Sequence, residues 1–108
     1  MENLQFRFEN GQRPCHAAAQ LVGVVSSGNL EVLLERCALD GACEVVVNTA
    51  AKGFNAIWQA VLEDFHAHWQ LCDVRLSIND MGATPAVVAL RLDQVVEAAL
   101  ATPAQEGV

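Results

Sequence analysis

The feature that most limits the fold is one helical stripe in the middle of the chain. Between residues 54 and 69, apolar side chains recur at spacings of three and four, which places them on one face of an α-helix. These side chains are Phe54, Ile57, Trp58, Val61, Leu62, Phe65 and Trp69. Asn48 or Thr49 is predicted to cap the start of this helix. A helix with one apolar face must bury that face, so the chain has to supply a second apolar layer.

The segments before the stripe have the alternating pattern of strands. Residues 4–8 and 43–48 each predict one strand. Residues 21–25 and 30–35 predict two more, and the Ser, Gly and Asn residues at positions 26–29 join them as a hairpin.

The segments after the stripe extend this pattern. Residues 73–78 alternate as a strand, residues 79–82 form a turn, and residues 86–92 are interpreted as a returning strand. Residues 93–101 predict a short final helix that Pro103 ends. Strands and helices in this order predict an α+β fold, with a mainly antiparallel sheet on which the long helix and the short C-terminal helix pack.

Size and hydropathy limit the domain organisation. A chain of 108 residues, 53% of them hydrophobic, has enough apolar material for one core, so we expect one domain with its core at about residues 4–101 and a frayed tail at 102–108. No apolar run approaches the roughly 18–20 residues of a membrane span. The first ten residues lack the apolar block of a secretory signal, and a cytoplasmic location is therefore expected.

The charge balance disfavours nucleic acid as a partner. Six basic and 13 acidic residues give a net charge of −7, whereas affinity for a phosphate backbone depends on Lys and Arg. The acidic residues are scattered along the chain, which fits either ordinary solubility or steering toward basic surfaces on partner proteins.

Cysteine and histidine offer weak catalytic candidates. Cys15, Cys37, Cys43 and Cys72 lack the spacing of redox or zinc sites and are interpreted as reduced thiols with structural roles. Cys15 and His16 are adjacent in sequence, but a nucleophile and its base usually meet through the fold. His66 and His68 lie two apart on a helix and so do not face each other, which argues against a shared metal ion.

Two pairs of carboxylates are interpreted as surface charge. Glu63 and Asp64 are neighbours on the polar face of the predicted helix, and Glu31 and Glu35 lie four apart on a predicted strand. Neither pair has the buried setting that would separate two pKa values for acid-base catalysis.

The hairpin turn is the remaining candidate site. Ser26, Ser27, Gly28 and Asn29 are turn formers, and a serine hydroxyl on an exposed tip is also open to covalent modification. The pattern alone favours the turn-forming role over modification.

Two separated segments resemble a known family. LVGVVSSGNLEVLLE at residues 21–35 is similar to the prosthetic-group segment of the acyl-carrier (delta) subunit of malonate decarboxylase, which typically reads Val-Gly-Ser-Gly-Asp-Leu-Glu-Val-Leu. NDMGATP at residues 79–85, continuing through residues 87–92, resembles that family's Asp-Phe-Gly-Ala-Thr-Pro-Gly-Val-Val. The similarity covers about residues 4–100. A more distant resemblance is to the carrier subunit of citrate lyase.

The resemblance implies a carrier rather than a catalyst. Ser27 aligns with the family serine that is joined by a phosphodiester to 2′-(5″-phosphoribosyl)-3′-dephospho-coenzyme A, with no metal site implied. The thiol of that arm exchanges acetyl for malonyl and presents the malonyl thioester to the decarboxylase. The implied partners are the acyl transferase and decarboxylase subunits, the prosthetic-group transferase and the malonyl transferase.

The turn departs from the family pattern at two positions. Ser26 stands where the family usually has Gly, so a second hydroxyl lies next to the implied attachment residue, and Asn29 stands in place of the usual Asp. Asn suits a turn as well as Asp does. A citrate-lyase-type carrier, a cofactor-free interaction module and a cysteine-dependent enzyme built on Cys15 are the alternatives.

Overall fold

The computed structural model describes residues 1–14, 21–27 and 29–101, and for residues 14, 21–27 and 101 it describes the backbone alone. The elements in chain order are β1 (Glu2–Phe8), β2 (Arg13–Pro14), β3 (Leu21–Ser27), β4 (Leu30–Arg36), β5 (Cys43–Thr49), α1 (Asn55–Trp69), β6 (Leu71–Cys72), β7 (Val74–Asp80) and α2 (Pro85–Ala101). The predicted strands at 4–8, 21–25, 30–35, 43–48 and 73–78 are confirmed, and so is the long helix.

The main sheet is mixed, and the prediction of a mainly antiparallel sheet is wrong. Its strand order is β1-β5-β7-β4-β3. The pairs β1–β5, β4–β7 and β3–β4 are antiparallel, whereas the central pair β5–β7 is parallel. Because α1 lies between β5 and β7 in the chain, it can return the backbone to the same end of the sheet, and a parallel pair needs such a crossover. The short strands β2 and β6 form a second, parallel pair.

One face of the main sheet forms the core with both helices. Every second residue of β4, β5 and β7 is buried, as strand alternation requires. Trp58, Leu62 and Phe65 of α1 join the same apolar cluster. Helix α2 packs against β3, β4 and α1, and α1 also contacts β1. The two helices therefore cover a single face of the sheet.

Residues 86–92 are helical, and the prediction of a strand followed by a short helix is wrong. They belong to α2, whose 17 residues exceed the 15 of α1. Val88, Leu92, Val95 and Ala99 are buried at helical spacing. The missed signal is the helix start. Thr84 Oγ1 accepts a hydrogen bond from the Val87 N–H at 3.3 Å, and Pro85 occupies the first helical position, where a missing N–H costs nothing.

The start of α1 also differs from the expectation. Asn48 and Thr49 lie in β5 and do not cap the helix. The N-cap residue is Phe54, which makes no side-chain capping bond, although its carbonyl accepts from the Trp58 N–H at 3.0 Å. Phe54 and Ile57, the first two members of the predicted stripe, are 45% and 43% exposed. The start of α1 therefore leaves apolar surface uncovered.

Candidate functional site at the hairpin tip

The predicted hairpin is confirmed, and Ser27 is at its tip. Ser27 is the last residue of β3 and pairs with Leu30, the first residue of β4, while Ser26 pairs with Glu31. Gly28 lies outside the described residues, and Asn29 is an exposed turn residue. The backbone thus places position 27 where the chain reverses direction at the edge of the sheet.

The tip is bonded to the loop that follows β7. The Met81 N–H donates to the Asn29 carbonyl oxygen at 2.9 Å. Leu30 also pairs with Asp80, the last residue of β7. The two segments singled out in the sequence, residues 21–35 and 79–85, are therefore neighbours in space.

Asp80 organises that loop from a buried position. Its side chain accepts from the Thr49 hydroxyl at 2.8 Å and from the N–H groups of Ala83 at 2.8 Å and Gly82 at 3.2 Å. Thr49 Oγ1 in turn accepts from the Ala51 N–H at 3.1 Å. Asp80 is 3% exposed, so these donors replace the water that a buried carboxylate loses. The sequence pattern predicts a turn at Asp80 and gives no sign of this buried role.

An apolar cleft of about 310 Å³ opens beside the same loop. It lies between the beginning of α1 and the beginning of α2. The residues that line it are Ala51, Phe54, Ile57, Trp58, Val61, Asp80, Gly82, Ala83, Pro85 and Val88. Gly82 has a φ of 114°, a backbone conformation that favours glycine, and it lets the loop turn along the wall of the cleft.

The two histidines of α1 do not form a site. His66 stacks on Phe8 with ring centroids 5.0 Å apart, and His68 meets Trp69 edge-on at 4.8 Å. Burial lowers the pKa of His66, although a hydrogen bond with the backbone of Glu9 opposes that shift. Among the described residues, no cluster of three His, Cys, Asp or Glu side chains is placed to hold a metal ion.

The cysteines within the described ranges are not joined in disulfides. Cys43 is fully buried, and burial, aided by the charge of Glu44, raises the pKa of its thiol to about 12. A thiol with such a pKa is a poor nucleophile near neutral pH. Cys37 and Cys72 are half-buried. The adjacent pair Cys15 and His16 lies outside the described residues.

Three of the four carboxylates interpreted as surface charge are exposed. Glu63 and Asp64 are exposed on α1, and Glu63 accepts from Gln59 at 2.6 Å. Glu31 is exposed and accepts from Asn79 at 3.1 Å, while Glu35 is half-buried. As the pattern predicts, the first pair lies on the helix α1 and the second on the strand β4.

Comparison with known proteins identifies the family. The family model of the malonate decarboxylase delta subunit (MdcD), an acyl carrier protein, matches residues 17–99. A malonate decarboxylase acyl carrier protein from Xanthomonas euvesicatoria pv. vesicatoria (strain 85-10) is 63% identical over 99 residues, which cover 90% of this chain and 93% of the relative. The chain belongs to the malonate decarboxylase acyl carrier family.

Other members of the malonate decarboxylase acyl carrier family match over a similar length. The protein of that name from Stenotrophomonas maltophilia (strain K279a) is 59% identical over 107 residues, covering 94% of this chain and 96% of the relative. The one from Burkholderia cepacia is 61% identical over 95 residues, which cover 87% of this chain and 86% of the relative. The resemblance seen in the two sequence segments is therefore confirmed along most of the chain.

The fold of this family member is shared with a solved structure. One chain in a crystal structure of a Pseudomonas malonate decarboxylase hetero-tetramer in complex with malonate matches with a TM-score of 0.72 and 40% identity. The match covers 90% of this chain and 97% of that one.

Membership in the malonate decarboxylase acyl carrier family has two consequences. It supports the prediction of a carrier rather than a catalytic subunit, and it implies a prosthetic group on which the acyl unit is carried. Neither helix in the described part of the chain is long and apolar enough to cross a bilayer.

Proposed function

We propose that this protein is the acyl carrier subunit of a malonate decarboxylase and that Ser27 is the residue that holds its prosthetic group. The proposed group is 2′-(5″-phosphoribosyl)-3′-dephospho-coenzyme A, joined to the serine oxygen by a phosphodiester. The observation that carries the proposal is the family membership together with the position of Ser27 at the last residue of β3, on a hairpin tip.

The surroundings of the tip fit a bulky attached group. Asn29 is exposed, so the turn lies at the surface, where an attaching enzyme can reach it. The bond from Met81 to Asn29 and the pairing of Leu30 with Asp80 hold the tip against the end of β7. The turn beside the attachment position is thus exposed at Asn29, and the backbone on both sides of the turn is anchored.

The chemistry belongs to the prosthetic group, which supplies the thiol that carries the acyl unit as a thioester. The carbonyl of a thioester can accept the electrons that are released when carbon dioxide leaves. The residues of this chain have a different task, which is positioning. Strands β3, β4 and β7 hold the tip by pairing that is regular from Gly23 to Ser27, and Asp80 fixes the loop beside it through three accepted hydrogen bonds. A tethered acyl group also reaches successive active sites at a high effective concentration.

The proposed partners are the acyl transferase and decarboxylase subunits, the prosthetic-group transferase and the malonyl transferase. The solved relative belongs to a malonate decarboxylase hetero-tetramer, which supports an assembly of this kind. Sequence identity of about 60% to malonate decarboxylase carriers favours malonate over the citrate lyase alternative. A cytoplasmic location remains a prediction.

The test is the intact mass of the protein from its native host, with peptide mapping across residues 21–36. Wild-type protein and the Ser26→Ala variant are expected to gain a mass far larger than phosphate, with a thiol-bearing group located at Ser27. Ser27→Ala is expected to stay unmodified, and Ser26→Ala is its matched control because it removes the neighbouring hydroxyl.

Two results would contradict the proposal. Loading that survives Ser27→Ala and disappears in Ser26→Ala would move the attachment site by one residue and keep the carrier function. An unmodified wild-type chain inside an active complex would reject the carrier function and favour the interaction module.

A further inference from the structure

The apolar cleft at the beginning of the two helices is not explained by the packing of the core. Phe54 and Ile57 are apolar, line the cleft and remain 45% and 43% exposed. Trp58, which also lines it, is 6% exposed. A concave apolar surface with a few polar groups at its edge is the usual form of a small-molecule site, and about 310 Å³ is at the lower end of their size range.

The cleft lies close to the proposed attachment position. Ser27 pairs with Leu30, and Leu30 pairs with Asp80, which is part of the cleft wall. Adjacent strands are separated by less than 5 Å, so the backbones of Ser27 and Asp80 are about 10 Å apart. Met81, whose N–H bonds the tip at Asn29, directly precedes the lining residue Gly82. A group tethered at the tip can therefore enter the cleft without leaving the surface of the protein.

We propose that this cleft receives the uncharged end of the prosthetic arm, as the free thiol or the acetyl thioester, and excludes the malonyl thioester. This inference rests on the proposed function, because the arm must first be attached at the tip. The cleft then gives the carrier a resting position for the arm between visits to partner active sites.

The charge of the lining accounts for the exclusion of malonyl. Among the described residues that line the cleft, Asp80 is the only one with an ionisable side chain. Its carboxylate already accepts hydrogen bonds from Thr49, Gly82 and Ala83. A malonyl carboxylate inside the cleft would lose water, gain no cationic partner from the lining and approach a like charge. Lys52 is exposed next to Ala51 and is not part of the lining. The malonyl form therefore remains in solvent, where a partner can bind it.

The chain contains its own reporter for this test. It has two tryptophans, Trp58 in the cleft and Trp69 at the far end of α1, eleven residues or about 16 Å away. The full chain, labelled with ¹⁵N, is compared by NMR in the unloaded, thiol, acetyl and malonyl forms, after intact mass has verified the loading of each. The thiol and acetyl forms are expected to shift the Trp58 indole and the Gly82 and Ala83 amides. The malonyl form should return them toward the unloaded positions, with Trp69 unchanged throughout.

A second measurement follows the arm itself. Alkylation of the arm thiol should be about four- to tenfold slower in the loaded wild-type protein than in the loaded Ile57→Glu variant, which places a charge at the cleft. Leu90→Glu is the matched control, since Leu90 is 51% exposed on α2 and does not line the cleft. This variant should behave like wild type.

The outcomes separate this inference from the proposed function. A mass-verified thiol form that leaves Trp58 unshifted, a malonyl form that shifts it as acetyl does, or equal alkylation of the wild type and Ile57→Glu would each overturn the cleft proposal alone. A wild-type chain from the native host that never acquires the arm would overturn the proposed function and this inference with it.

Discussion

Asp80 is the side chain on which the loop beside the hairpin tip depends. Replacing it with Ala would leave the Thr49 hydroxyl and the N–H groups of Gly82 and Ala83 without their acceptor. Because these donors lie at a carboxylate that is 3% exposed, we expect Asp80→Ala to lower the free energy of unfolding by about 2–4 kcal/mol. Urea denaturation monitored by tryptophan fluorescence measures the change.

The control for Asp80→Ala is Asp64→Ala, which removes the same carboxylate from an exposed position on α1. Its effect should stay within about 0.5 kcal/mol. Equal effects of the two substitutions would show that the buried hydrogen bonds of Asp80 contribute nothing to stability.

At the scale of elements, α2 has the clearest test. In a strand, Leu90 and Leu92 would share a face because they are two residues apart, whereas a helix separates them. The structure places Leu92 fully in the core and leaves Leu90 51% exposed. Leu92→Ala is therefore expected to lower the free energy of unfolding by about 2–4 kcal/mol, and Leu90→Ala by no more than about 0.5 kcal/mol. Similar losses at both positions, measured by urea denaturation, would favour the strand.

The elements that the sequence predicted correctly are those whose pattern is strong over their whole length. The hairpin has two alternating runs around turn formers, and α1 with its N-cap residue has seven apolar residues at helical spacing. Residues 86–92 were misassigned because Val87 and Val88 favour strands locally. Burial of Val88, Leu92 and Val95 on one helical face outweighs that preference.

At the scale of the whole molecule, we expect the part of the −7 charge that lies near the hairpin tip to steer the carrier toward basic surfaces on its partners. Glu31 and Glu35 both belong to β4, the strand that continues from the hairpin tip. Glu31 is exposed, and Glu35 lies opposite Arg75 of β7. The double variant Glu31→Gln, Glu35→Gln is expected to slow attachment of the prosthetic group about two- to tenfold at low salt, with the difference shrinking as salt screens the charges. Intact mass against time measures the rate.

The control for this double variant is Glu63→Gln with Asp64→Asn, which makes the same change in net charge on α1. It should leave the rate close to that of the wild type. Unchanged loading of the Glu31 and Glu35 variant at low salt would contradict a docking role for these two residues.

The amino-acid order alone displays five of the strands, the helix α1, the hairpin turn beside Ser27 and, through two separated segments, the family. These properties depend on short-range patterns, which a linear chain displays directly. Only the folded chain shows the parallel pairing of β5 with β7 and the contact of the tip with the loop at Asp80. It also created the apolar cleft from residues that are up to 37 positions apart, Ala51 and Val88. Each of these features depends on which distant segments bury each other, and no local pattern contains that information.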